Sequence, residues 1–212
     1  MTSPHITSVY GSAEAEYTIK KSRFLAHLKE VSSEEEASAF IEARRKEFWD
    51  ARHNCYAYQI GPGGAIQKSS DDGEPSGTAG RPMLEVLKKN GITNTVVVVT
   101  RYFGGIKLGA SGLIRAYSHS VSLGLAAASI ADYLPYQVIK VSVPYSFVST
   151  IERLAPAHAI RIADRNFAAD VTFTLEIPEE QTDTAIQAIT NATNGIAVCT
   201  AEKTRIIPVV RT

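Results

Sequence analysis

Val96-Val97-Val98-Val99 is an unbroken β-branched run between two glycine-dense polar segments. Such a run reads as a strand buried on both faces, because a half-exposed strand would alternate apolar with polar side chains. Before it lies Ser69-Ser70-Asp71-Asp72-Gly73-Glu74-Pro75-Ser76-Gly77-Thr78-Ala79-Gly80, and after it Arg101-Tyr102-Phe103-Gly104-Gly105-Ile106-Lys107-Leu108-Gly109. Glycine at this density lets the backbone take positive φ and approach a partner closely. The rigid strand is therefore expected to deliver a flexible, charged loop and to mark the functional surface. Arg81, Arg101, Lys107 and Arg115 supply its positive charge, and Asp71, Asp72 and Glu74 its negative charge.

Outward from this strand the elements alternate. Tyr17 to Val31 reads as one or two strands interrupted near Lys20-Lys21-Ser22. A helix follows, capped by Ser32 or Ser33, with Glu34-Glu35-Glu36 against the positive end of its dipole and Ala37, Phe40, Ile41, Arg44 and Phe48 at helical spacing. His53 to Ile60 reads as a strand ending at Gly61-Pro62-Gly63-Gly64. A short helix opens near Pro82 and stops at Asn90-Gly91, and a long one follows the second glycine loop, marked by Leu113, Tyr117, Val121, Leu125 and Ala128. From Tyr133 the order is strand to Val143, helix Ser146 to Ala155, strands Ala159 to Arg165 and Ala169 to Ile177, helix to about Thr193, and a last strand toward Ile207. That β-α-β-β-α-β order is the ferredoxin-like pattern. The boundary between two domains is expected at Ala131 to Pro135.

A chain of 212 residues can bury one substantial core or two smaller ones. Basic and acidic residues balance at 22 each, so no whole-molecule field steers the protein to nucleic acid or membrane, and any polyanion site must be a local patch. Met1 to Tyr17 has no apolar leader core, and Val121 to Ala131 is too short to span a bilayer. A soluble, cytoplasmic protein with no membrane partner is expected. Cys55 and Cys199 lie far apart without metal or redox spacing, so reduced thiols are expected.

Gly104-Gly105-Ile106-Lys107-Leu108-Gly109-Ala110-Ser111 has the frame of a phosphate-binding loop, but Ala110 stands where the lysine must be, and the dinucleotide spacing also fails. Two readings stay open. A glycine loop entering a helix presents free N–H groups that suit a phosphate or carboxylate, and the same glycines permit a tight crossover. The acidic loop lacks calcium-loop spacing, and a turn at Asp72-Gly73 with Glu74 solvated or paired to an arginine accounts for it. His53 and Cys55 share a strand face but stand roughly 6.5–7 Å apart, too far for a direct nucleophile–base bond. Cys55 is expected to be structural. Tyr56, Tyr58, Tyr102 and Phe103 suit either base stacking or the core. His119 reads as a surface or packing residue.

Three blocks resemble the signatures of the IMPACT family: Ala51-Arg52-His53-Asn54-Cys55-Tyr56-Ala57-Tyr58, Asp71 to Pro82, and Thr100 to Gly109, extended by Arg115-Ala116-Tyr117. The match covers roughly Tyr17 to Ala131, and the C-terminal half is similar to the small α/β domain of bacterial, YigZ-like members. The resemblance implies an α+β protein, with a ribosomal protein S5 domain 2-like fold in 1–132 and a ferredoxin-like (α/β plait) fold in 133–212. Eukaryotic members are translational regulators that bind a partner protein through an additional N-terminal domain, for which no counterpart is expected here. No catalytic residue is carried over, and no metal or cofactor is assigned.

The expected function is a cytoplasmic translation-associated regulator that binds RNA, the ribosome or a ribosome-associated protein. The alternative is an enzyme acting on a phosphorylated small molecule in the glycine-loop cleft, and a third reading is an adaptor using the sheet face of the plait. The expected nucleic-acid or anion-binding residues are Arg81, Arg101, Gly104, Gly105, Lys107, Gly109 and Arg115. His53, Asp71, Asp72, Glu74 and Thr78 form an expected secondary group.

Overall fold

The computed structural model describes residues 6–211. They divide into two compact units, the first running to Tyr133 and including the chain from Pro208 onward, the second spanning Leu134–Ile207.

The first unit is built on an antiparallel sheet in which Thr95–Tyr102 (β6) lies centrally. Across the sheet the order is Ser12–Ile19 (β2), Ser22–Glu30 (β3), β6, His53–Ile60 (β4) and Ile66–Ser70 (β5). Val96, Val97, Val98 and Val99 are all fully buried, and the pleat explains why four apolar residues in succession are needed. Val97 and Val99 join Phe24, Leu28 and Ala57 beneath the helices Gly80–Lys89 (α2) and Ala110–Ala127 (α3). Val96 and Val98 join Tyr58 and Ile60 on the other face, under Ala37 and Ile41 of Glu34–Glu47 (α1).

Local chemistry explains most boundaries. Ser33 caps α1 by accepting from the Glu36 N–H at 3.2 Å, while Glu36 reaches back to the Ser32 N–H at 2.7 Å. Lys20 and Lys21 make the two-residue turn between β2 and β3 with φ of 46° and 65°, a turn twist that matches the strands although neither residue is glycine. Two strands have no clear signal in the sequence. β5 is a polar edge strand held by its pairing to β4, and Ile6–Val9 (β1) pairs with the start of Ile130–Val143 (β7).

In the second unit, the rest of β7 pairs with Val171–Pro178 (β9), which pairs with Arg161–Phe167 (β8). Val198–Val210 (β10) pairs with β7 on its other side. Val148–Ala157 (α4) and Thr182–Ala192 (α5) cover one face, burying Ile151, Ala155, Ala185 and Ile189 on Ile139, Val141, Phe173 and Leu175. This is the ferredoxin-like plait. The chain is thus α+β with antiparallel sheets, an S5 domain 2-like unit followed by the plait. Among the described residues no helix is long and apolar enough to cross a membrane.

Candidate functional site

The pairing of β4 with β6 sets His53 directly beside Arg101 at one end of the first unit's sheet. The acidic segment after β5 folds over this end, and its carboxylates are used internally rather than presented to solvent. Asp71 accepts from the N–H groups of Gly77, Ala79 and Gly80 at 2.8, 2.9 and 2.9 Å. Burial acts to raise its pKa, but those three bonds outweigh it and hold the carboxyl below its ordinary 3.8. Asp72 accepts from the Asn54 N–H at 2.7 Å and from Arg45 at 3.0 Å. Thr78 is buried and donates to the Pro75 carbonyl at 2.6 Å. The acidic loop is therefore tied down along its length.

Glu74 is paired with an arginine, one of the two expected alternatives, and the pair is buried. Its side chain and that of Arg101 are only 4% and 7% exposed, and Arg101 Nη1 donates to Glu74 Oε1 at 2.6 Å. Tyr117 O–H donates to the same oxygen at 2.8 Å. Burial, then the neighbouring Cys55 and Glu74, raise the Tyr117 pKa far above its usual range and keep the hydroxyl a donor. The guanidinium lies 5.5 Å from the ring centres of both Phe24 and Phe103, and its Nε is buried without a hydrogen-bond partner among the described residues.

Above this buried cluster is a pocket of about 410 Å³, within the range of small-ligand sites. Gly109, Ala110 and Leu113 form one wall, Arg101, Phe103 and Lys107 another, and Arg52, His53, Glu74 and Pro75 a third. Gly109 takes φ +73° as the N-cap of α3 and has no side chain to cap the helix. The N–H groups of Ala110, Ser111 and Gly112 thus have no intrahelical acceptor. Gly104 does a different job: a Cβ there would stand 2.0 Å from the Lys21 carbonyl carbon, so only glycine lets this loop lie against the β2–β3 turn. Gly105, with φ +84°, faces open space.

The pocket joins His53 and Glu74 with Arg101, Lys107 and Gly109, so members of both expected groups meet in it. Arg81 lies elsewhere, in a groove of about 470 Å³ with Ile114 and Ser118, and exposed Arg115 lines neither cavity. Arg52 is an addition, recoverable from the first signature block in which it precedes His53. The Tyr117 hydroxyl had no such signal, since helical spacing accounts for the ring alone. Phe103 is 47% exposed, whereas Tyr58 is core and donates to Glu34 at 2.5 Å.

His53 Nδ1 lies 2.8 Å from the Asp72 carbonyl oxygen. A carbonyl only accepts, so Nδ1 carries the proton and Nε2 of the neutral ring is left with its lone pair. Cys55 is fully buried, with Sγ 3.0 Å from the Asp71 carbonyl and 3.3 Å from Tyr117 Oη. Burial pushes its pKa up to about 12. In the folded protein Cys55 should therefore resist iodoacetamide at pH 8 and become reactive only on unfolding. Rapid alkylation at Cys55 with the fold intact, read by peptide mass mapping, would show the thiol to be accessible.

The Impact N-terminal domain model matches residues 20–125, and a domain of unknown function (DUF1949) matches residues 141–195. The chain is 45% identical over 188 residues to the Bacillus subtilis IMPACT family member YvyE, covering 89% of this chain and 87% of that protein. It is 38% identical to the Escherichia coli IMPACT family member YigZ, covering 76% and 79%. A solved structure described as a hypothetical protein superposes with a TM-score of 0.61 at 31% identity, over 96% of this chain and 98% of that one.

Proposed function

Because the chain belongs to the IMPACT family, we propose that it is a cytoplasmic translation regulator whose first unit binds RNA, free or on the ribosome, through the pocket at the N-terminus of α3. The domain division at 1–132 and 133–212 is part of this proposal. The family's eukaryotic members, which are translational regulators, support a translation-related role. The observation that carries RNA binding is the uncapped α3 N-terminus sharing one pocket with Lys107, Arg52 and the exposed Phe103 ring. Helix N–H groups and the two cations suit a phosphate, and an exposed aromatic ring suits an unstacked base. Arg101 contributes less net charge than its position suggests, since Glu74 neutralises it.

With the charges of Lys107 and Arg52 available, about two phosphates are neutralised, and log K for single-stranded RNA should fall with log salt at a slope near −1.4. Lys107→Ala should flatten that slope by roughly 0.7. The measurement is fluorescence anisotropy over a salt series, run beside co-sedimentation with ribosomal subunits. Unchanged RNA and ribosome association in a folded Lys107→Ala, Arg52→Ala double variant would overturn the proposal.

His53 favours a second reading, an enzyme acting on a phosphorylated small molecule in the same pocket. With Nδ1 held on the Asp72 carbonyl, Nε2 of a neutral ring is a base in the same pocket as the α3 N-terminus, the arrangement general-base chemistry needs. A phosphorylated metabolite that stabilises the fold saturably, and whose turnover disappears in His53→Asn while binding persists, would establish it. Ribosome or RNA binding without such a metabolite would support the first reading.

A further inference from the structure

On the α1 side of the first unit's sheet, the face opposite α3, a groove of about 960 Å³ runs between β2–β3 and α1. Two ladders of side chains face each other across it. His27 and Lys29 are two residues apart on β3 and share a face of the strand. Phe40, Arg44 and Phe48 follow one another at four-residue spacing along α1 and its C-cap. The ladders meet: the His27 ring lies 5.0 Å from the Phe48 ring, and Lys29 Nζ and Arg44 Cζ lie 5.8 and 5.4 Å from the centre of Phe40.

The His27 side chain is only 8% exposed. Its Nδ1 stands 3.2 Å from Glu14 Oε1, but out of hydrogen-bond alignment, and neither ring nitrogen has a hydrogen-bond partner among the described residues. Arg44 Nε is also buried without a partner, although Nη2 pairs with Glu47 at 2.7 Å. An imidazole always carries at least one N–H, so the groove holds two orphan donors, where buried polar groups are nearly always satisfied. Two carboxylates along the groove are occupied: Glu36 accepts from Ser32 N and Oγ at 2.7 and 3.1 Å, and Glu30 accepts from the Tyr133 hydroxyl and the Gly11 N–H. The third, Glu14, is 69% exposed and lies beside the His27 ring without aligning to its N–H. What the groove lacks is an acceptor aligned with these donors.

We propose that this groove is a second ligand site, separate from the signature-loop pocket, and that it takes a small molecule bearing a carboxylate or phosphate. The oxyanion accepts from His27 and Arg44, Lys29 adds charge, and Phe40 offers an apolar surface to the rest of the ligand.

Inorganic phosphate, acetate and benzoate should be titrated separately into full-length protein labelled at histidine ring nitrogens, with His27 and His53 read by NMR. The expected result is a saturable shift at His27 with at least one probe, and the probe that acts distinguishes phosphate from carboxylate. Arg44→Met should weaken that response about tenfold or more, the cost of losing a charge-assisted donor, while leaving any His53 response to phosphate unchanged. Lys29→Met provides the same test should Arg44→Met fail to fold. A folded protein whose His27 signals show no saturable change with any of the three probes overturns the proposal, as does a response that survives in both variants.

Discussion

Glu74→Ala is expected to cost about 3 to 5 kcal/mol of folding stability, the penalty for removing one partner of a buried ion pair. The substitution leaves the Arg101 guanidinium without its carboxylate 2.6 Å away, in a site where the arginine side chain is only 7% exposed. It also strips the Tyr117 hydroxyl of its acceptor. The fully buried Tyr117 cannot recover its lost partner from bulk water while the surrounding helices stay packed. The loss should be largely recovered when both members are made apolar, as in Glu74→Met with Arg101→Met, because a buried pair stabilises little relative to hydrophobic residues of similar volume. Urea unfolding of Glu74→Met, Arg101→Met and the double variant measures this as a cycle. A single variant within about 0.5 kcal/mol of wild type, the range of an ordinary surface substitution, would mean that the cluster is hydrated.

Asp71→Asn should cost about 2 to 3 kcal/mol at neutral pH, because an amide oxygen replaces a carboxylate that accepts three backbone N–H bonds at the entry to α2. Its pH dependence has a definite sign. The folded protein holds the Asp71 carboxyl below the ordinary 3.8, so its contribution is fully present above that value and is lost as the pH falls through the folded pKa. The stability difference between wild type and Asp71→Asn should therefore stay constant from neutral pH down to about 4 and narrow at lower pH. A difference that instead widened in acid would show that the carboxyl is not stabilised in its charged form.

Much of this fold is legible in local pattern. The valine run, the serine cap of α1 and the βαββαβ order of the second half are local signals, and each corresponds to an element that forms. β1 and β5 are legible only from their partners. Ile66-Gln67-Lys68-Ser69-Ser70 has no alternation and is a strand because β4 offers it an unpaired edge.

The candidate site divides in the same way. The blocks containing His53, the Asp71 to Gly80 loop and the Arg101 to Gly109 loop are recognisable from residue type, glycine spacing and order, and these locate the pocket. Residue type alone does not say which charge is spent internally. Glu74 and Arg101 lie far apart in the chain and neutralise each other only because β6 and the loop after β5 end at the same place. Arg81 and Arg115 have the same charge as Lys107, yet the faces of α2 and α3 on which they sit keep them out of the pocket. The sequence by itself determined every element but β1 and β5, the plait order and the segments that build the site, because capping, periodicity and turn chemistry act over a few residues. Only the tertiary structure decided which donors remain available, among them Lys107, the α3 N-terminus and the orphan groups of His27 and Arg44, because hydrogen-bond satisfaction depends on neighbours brought together by packing.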